Sequence, residues 1–235
     1  MAFTKPGDGA LLRKKISLMG LELDDYSFPE AMKIIESFLG DTALSTVLSV
    51  NTEKLLCADE DAVVKEVLSA ADYTVITDQA LFAEVSGSAA ERRFEVEDGR
   101  FLPMFLSHMY RADRSFFLVS TSQETLSEMH RLMTEQFSHA RIVGECVIPS
   151  DPGTYESCVN AINILMPDVI LSSMASPQEE RFLHACRSKL CARIWYSAGV
   201  SSMDAAEGFS LVRQLRRLKD RSLFRSRLRR QKAEK

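Results

Sequence analysis

The sequence predicts an α/β fold: a Rossmann-like, largely parallel sheet with helices on both faces, followed by a basic helical appendage. Three observations predict it. Short β-rich runs alternate along the chain with amphipathic segments of ten or more residues, the pattern of strands joined by crossover helices. Small and polar residues gather where those runs end (Ser49 and Asn51, Asp78, Ser120 to Ser122, Ser173 to Glu179, Gly199), where an open parallel sheet keeps its ligand crevice. Charge is segregated: of a net −4, residues 210 to 235 carry eleven Lys and Arg against Asp220 and Glu234, which leaves −13 for residues 1 to 209.

Taken in order, residues 1–15 are a Gly/Pro-containing arm, and Ile16 to Leu23 alternates as a strand or hairpin arm. Asp25 to Pro29 is a turn, after which Ala31, Ile34, Ile35, Phe38 and Leu39 share one helix face. Ser45 to Val50 is a strand ending at Asn51. Val63, Val64, Val67 and Leu68 mark a further helix, and Tyr73 to Thr77 a strand ending at Asp78. Gln79 to Met109 holds two short helices around the polar turn Glu95 to Gly99. Ser115 to Val119 is a strand, Leu126, Met129, Met133 and Phe137 a helix face, and Ala140 to Gly144 a strand. A helix follows through Tyr155, Val159, Ile162 and Met166. Val169 to Ser172 and Ala192 to Tyr196 complete the strands, the latter running out at Ser197-Ala198-Gly199.

Composition narrows the function classes. At 235 residues, 46% hydrophobic and 26% charged, the chain can bury a full core. No apolar run is long enough to cross a bilayer, and the first fifteen residues lack the apolar stretch of a signal peptide, so a cytoplasmic protein is expected. Five dispersed cysteines form no Cys-x-x-Cys pair, four scattered histidines offer no metal spacing, and no metal site is expected. There is no Gly-x-Gly-x-x-Gly and no P-loop, which disfavours nicotinamide and P-loop ATP chemistry, and no cofactor is expected. Asp59-Glu60-Asp61 mimics a metal-binding Asp-x-Asp but is placed at a helix start, where acids favour the dipole.

The stretch from Pro167 to Leu183 reads as a buried strand, a loop of small residues, and a helix with Ser176 as N-cap and Pro177 in its first turn. Such a helix start directs backbone N–H groups toward an anion above the sheet edge. It equally fits a plain strand-to-helix connection.

The order and spacing of these motifs resemble the WecG/TagA/CpsF glycosyltransferases of bacterial surface polysaccharide and teichoic acid synthesis. The resemblance rests on Ser-x-Asn at Ser49 and Asn51, a lone Asp78 after a strand, Ser-Pro-x-x-Glu at Ser176 to Glu180, and the Arg-rich C-terminus. It covers the chain from about Ile16 to the tail. It implies a metal-independent, inverting transfer of an N-acetylmannosamine-type sugar from a UDP donor to an undecaprenyl-diphosphate-linked acceptor. Asp78 would be the general base toward the acceptor hydroxyl, while also fitting as a helix cap. Ser49 and Asn51 would line the sugar pocket, with a cap again the alternative for Asn51. Ser173, Ser176, Gln178, Glu179 and Gly199 would face the donor, and Arg221, Arg225 and Arg227 would close over its diphosphate.

Several positions differ from the family pattern. Pro-Lys-Gln-Glu is here Pro177-Gln178-Glu179-Glu180, so a cation has become an amide and an amide an acid. Asp-Gly is Asp78-Gln79, the next glycine pair is Ser120-Thr121-Ser122, and Gly-Gly near the last strand is Ser201-Ser202. Glu179 would then face the diphosphate unpaired, or be neutralised by Arg181 or a tail arginine.

Residues 16–208 are thus expected to form the transferase-like domain and 209–235 a membrane-associating segment. In the latter, Leu211, Leu215, Leu218, Phe224 and Leu228 lie near helical spacing among arginines, fit for an anionic leaflet on the inner face of the cell membrane. A solvated or nucleic-acid-attracting tail is the alternative, although the lack of aromatic interleaving argues against single-strand binding. A homo-oligomer is possible. A second reading of the whole chain is a catalytically silent relative that serves as a binding or scaffold subunit in polysaccharide assembly.

Overall fold

The computed structural model describes residues 14–84 and 101–198. The chain enters through an antiparallel hairpin, β1 (Lys15–Leu18) and β2 (Leu21–Asp24). Its two-residue loop places Met19 at φ 50° and Gly20 at φ 75°, the doubly positive turn that matches the twist of paired strands. Ile16 to Leu23 is therefore a hairpin, lying outside the main sheet. Asp24 fastens it: its carboxylate accepts from the Thr74 N–H (2.9 Å) and hydroxyl (3.0 Å), and its own N–H donates to Thr74 Oγ1 (2.7 Å).

Helix α1 (Phe28–Phe38) starts within the expected turn, because Ser27 and Glu30 form a capping box and Pro29 fills the first turn. β3 (Ser45–Val50) runs into α2 (Thr52–Glu60), α3 (Ala62–Ser69) and β4 (Tyr73–Ile76), with α4 (Gln79–Glu84) beyond. After α5 (Phe101–Arg111), β5 (Ser115–Ser120) and α6 (Gln123–Gln136) follow. Next come β6 (Arg141–Val147), α7 (Glu156–Leu165), β7 (Val169–Ser173), α8 (Gln178–Cys186) and β8 (Ile194–Ser197). Asp59 and Glu60 close α2, and Asp61 caps α3 through the N–H groups of Val63 and Val64.

β3 to β8 form one parallel six-stranded sheet in the order β4-β3-β8-β7-β5-β6. Successive residues of each strand feed opposite cores, as the two-residue period requires. Phe117, Val119, Ile170 and Trp195 pack with the α2, α3, α7 and α8 side, while Phe116, Leu118, Leu171 and Tyr196 pack with α1, α5 and α6. Helices thus cover both faces, as the alternation of segments implies. All carboxyl ends point the same way, and the last strand, β8, returns to the centre between β3 and β7. No helix among the described residues is long and apolar enough to cross a membrane. The five cysteines are free thiols. The expected Glu95 to Gly99 turn and the C-terminal basic segment lie outside the described residues.

Candidate active site

The carboxyl ends of β4, β3, β8 and β7 lie side by side, the place where an open parallel sheet keeps its ligand crevice. β3 and β4 end side by side, Val50 opposite Ile76, and the Thr77 N–H donates to the Val50 carbonyl at 3.0 Å. That register sets Asn51 and Asp78 at neighbouring strand ends.

Asn51 is the N-cap of α2, its Oδ1 accepting from the Lys54 N–H at 2.8 Å. Asn51 is half-buried. Asp78 turns its carboxylate to the same helix start, with Oδ2 accepting from Thr52 Oγ1 at 2.8 Å and from the Thr52 N–H at 3.4 Å. The backbone carbonyl of Asp78 begins α4 by accepting from the Phe82 N–H at 2.9 Å. The residue expected as general base and one expected to line the sugar pocket thus converge on the first turn of α2. Thr52, buried at 2% exposure, orients Asp78 and was not anticipated from the sequence.

Ser49 is buried, and its hydroxyl donates to the Ser197 carbonyl of the adjacent β8 strand. It ties two strand ends together. Ser173 closes β7 with its carbonyl accepting from Ser120 Oγ at 2.9 Å. Ser122 caps α6 through the Thr125 N–H at 3.2 Å.

The α8 start departs most from expectation. Ser176 is not its cap. The N–H groups of Gln178 and Glu179 both donate to the Ala175 carbonyl, at 3.0 and 3.2 Å, and the Arg181 N–H takes the Pro177 carbonyl at 3.0 Å. Two donors expected for an anion are consumed within the loop. Ser176 Oγ and Ser172 Oγ are buried without a protein partner. Buried hydroxyls in that state call for a ligand or an ordered water. Gln178 reaches across to Ser150 Oγ at 3.3 Å.

Glu179 does not face the crevice at all. It is fully buried, with Oε1 accepting from Trp195 Nε1 at 3.1 Å and Oε2 lying 3.0 Å from Lys54 Nζ and bonded to the Ser197 hydroxyl. Lys54 also stands 2.9 Å from Glu180 Oε1, and only 6% of its side chain is exposed. Burial disfavours the ammonium, but Glu179 and Glu180 more than offset this and hold Lys54 above its ordinary pKa. The neutralising cation is therefore Lys54, from α2. Arg181 points elsewhere, to Asp61 Oδ2 at 3.0 Å. No local signal links Lys54 to Glu179, since only the fold brings β3 and β8 together.

Gly199, Arg221, Arg225 and Arg227 lie outside the described residues. Among the described residues no group of three or more His, Cys, Asp or Glu side chains could hold a metal ion.

A comparison with curated proteins finds no match. Residues 16–208 match the model of the glycosyl transferase WecG/TagA/CpsF family, which is most of the chain. On that match, and with its parallel α/β sheet bearing Asn51 and Asp78 at adjoining strand ends, the chain belongs to the WecG/TagA/CpsF glycosyltransferase family.

Proposed function

We propose that the protein transfers an N-acetylmannosamine-type sugar from a UDP donor to a lipid-diphosphate-linked acceptor, with inversion and without a metal. Asp78 takes the proton of the acceptor hydroxyl while that oxygen bonds the anomeric carbon. The bond from that carbon to the diphosphate breaks, and UDP leaves with the electron pair. The observation that carries this reading is the Asp78 carboxylate held by Thr52 beside Asn51 at the crevice, within a chain of this family. A fixed carboxylate serves here because the attacking alcohol gains acidity as its bond forms. The unpartnered hydroxyl of Ser176, in the loop after β7, supports a polar ligand there. The closed Lys54 cluster is compatible with donor binding, since Glu179 is buried against Lys54 and Lys54 offsets one of the two carboxylate charges of Glu179 and Glu180. The basic tail, +9 over residues 210 to 235, fits an anionic membrane surface carrying the acceptor.

One observation favours a second reading, a silent relative that scaffolds an assembly: the Gln178 and Glu179 N–H groups are already spent on Ala175. Calorimetry with UDP and UDP-N-acetylmannosamine separates the two. Saturable binding of both, the sugar nucleotide weakened in Asn51→Asp, supports the transferase. Absence of nucleotide binding up to millimolar concentration contradicts it and leaves the scaffold.

A further inference from the structure

The opposite end of the sheet holds a second concavity. At the amino ends of β3, β7 and β8, a half-open groove of about 750 Å3 lies between α3 and the 3-10 turn that follows α8. That is within the size range of small-molecule sites, roughly 300–1,000 Å3. A β-strand rises about 3.3 Å per residue, so the length of β3 separates this groove from the crevice by roughly 20 Å.

Its floor is apolar and buried, formed by Leu44, Leu190 and Ala192. Its rim is basic, with Arg187, Lys189 and Arg193 against Glu66. Arg187 is fixed by Asp72 Oδ2 at 2.7 Å and the Ala70 carbonyl at 2.9 Å, so an acid offsets its charge. Arg193 donates to the Asp41 carbonyl, which orients the guanidinium. Lys189 is exposed on the turn itself. Such a basic rim stands out on a body whose first 209 residues sum to −13.

We infer that this groove binds an amphipathic anion, its apolar body against Leu44, Leu190 and Ala192 and its carboxylate or phosphate head between Lys189 and Arg193. A neutral apolar ligand would desolvate Lys189 and Arg193 without supplying a counter-charge. A small polar anion would leave the apolar floor wet. A ligand with both parts satisfies both surfaces. The inference does not depend on the transferase reading, because the two sites lie at opposite ends of the strands.

The test is calorimetry on the full chain with dodecyl phosphate and dodecanoate below their micellar concentrations, and with inorganic phosphate and dodecanol as controls. One-to-one binding of at least one amphiphile is expected, at least tenfold tighter than either control. It should weaken tenfold or more in Lys189→Glu/Arg193→Glu and persist in saturating UDP. The exposed single change Lys189→Glu, with circular dichroism as the folding check, should weaken it in the same direction. Preference for dodecyl phosphate identifies the head as phosphate, and the reverse a carboxylate. Binding of phosphate or dodecanol as tight as the amphiphiles, displacement by UDP, indifference to Lys189→Glu, or no saturable binding up to millimolar concentration would each overturn the inference.

Discussion

Lys54 Nζ lies 3.0 Å from Glu179 Oε2, across 125 residues of sequence, with both side chains shut away from solvent. The contact joins the first turn of α2, whose cap is Asn51, to the first turn of α8. Glu180 at 2.9 Å makes the cluster two carboxylates on one ammonium, closed by Trp195 and Ser197. Ion clusters of this kind owe their strength to completeness, because removing one partner strands the other charges in a dry interior.

Lys54→Met should therefore destabilise the protein by about 3–5 kcal/mol, the usual cost of breaking a buried pair from one side. Glu179→Gln should cost clearly less, since Glu180 still holds Lys54 and the amide can still meet Trp195 and Ser197. Urea unfolding of the two variants checks the ordering. Equal losses would show that the ammonium is not the centre of the cluster.

Acid should loosen the N-terminal end of α1. Glu30 accepts from Lys14 Nζ at 2.8 Å, the Ser27 N–H at 2.9 Å and the Ser27 hydroxyl at 2.8 Å. The hydrogen bond from Lys14 and then those from Ser27 lower its pKa from 4.5 to about 2. A depressed folded pKa means that the stabilisation is present above pH 4.5 and is lost as pH falls through about 2. Glu30→Gln should flatten the stability profile in that window, as followed by thermal unfolding at a series of pH values. An unchanged profile would assign the acid sensitivity to other groups.

Gly144→Ala tests packing at the sheet edge. A Cβ there would meet Phe117 Cε2 at 2.7 Å and Leu165 Cδ1 at 2.8 Å. Phe117 is buried in the core, so it cannot simply swing away. Overpacking of this kind costs about 1–3 kcal/mol, and chemical denaturation should show the loss without a change in nucleotide binding.

Asn51 separates a cap from a ligand contact. Asn51→Ala removes the acceptor for the Lys54 N–H and should cost about 1 kcal/mol. Asn51→Asp keeps that acceptor, so stability should stay within a few tenths of a kcal/mol. The added negative charge beside Asp78 should still weaken UDP-sugar binding tenfold or more if Asn51 lines the pocket. Retained affinity in Asn51→Asp would confine Asn51 to capping.

Much of the fold was legible because its signals are local. The runs at Ser45–Val50 and Val169–Ser173 announce buried strands, and Asn51 announces a cap, through residues within a turn of each other. Strand order was not legible, because nothing in Ile194–Ser197 states that it inserts between β3 and β7. The same gap misplaced Glu179. Its sequence neighbours Gln178 and Glu180 suggest a polar helix start, and its actual partner comes from α2. Ser176 misled for a related reason: the Ala175 carbonyl took the N–H groups a Ser cap would have used. Asp78 was legible as a position, while Thr52, which aims it, became visible only once β3 and β4 paired.

The most direct measurement is transfer itself: the purified full chain, UDP-N-acetylmannosamine and a lipid-diphosphate-linked N-acetylglucosamine acceptor, with the product followed by mass. The account predicts one added sugar per acceptor without a divalent metal, and a rate about 10²–10⁴ lower in Asp78→Asn, whose unfolding midpoint stays near that of the parent. No product from the parent, or an equal rate in Asp78→Asn, would contradict the assignment of this crevice as a transferase site with Asp78 as its base.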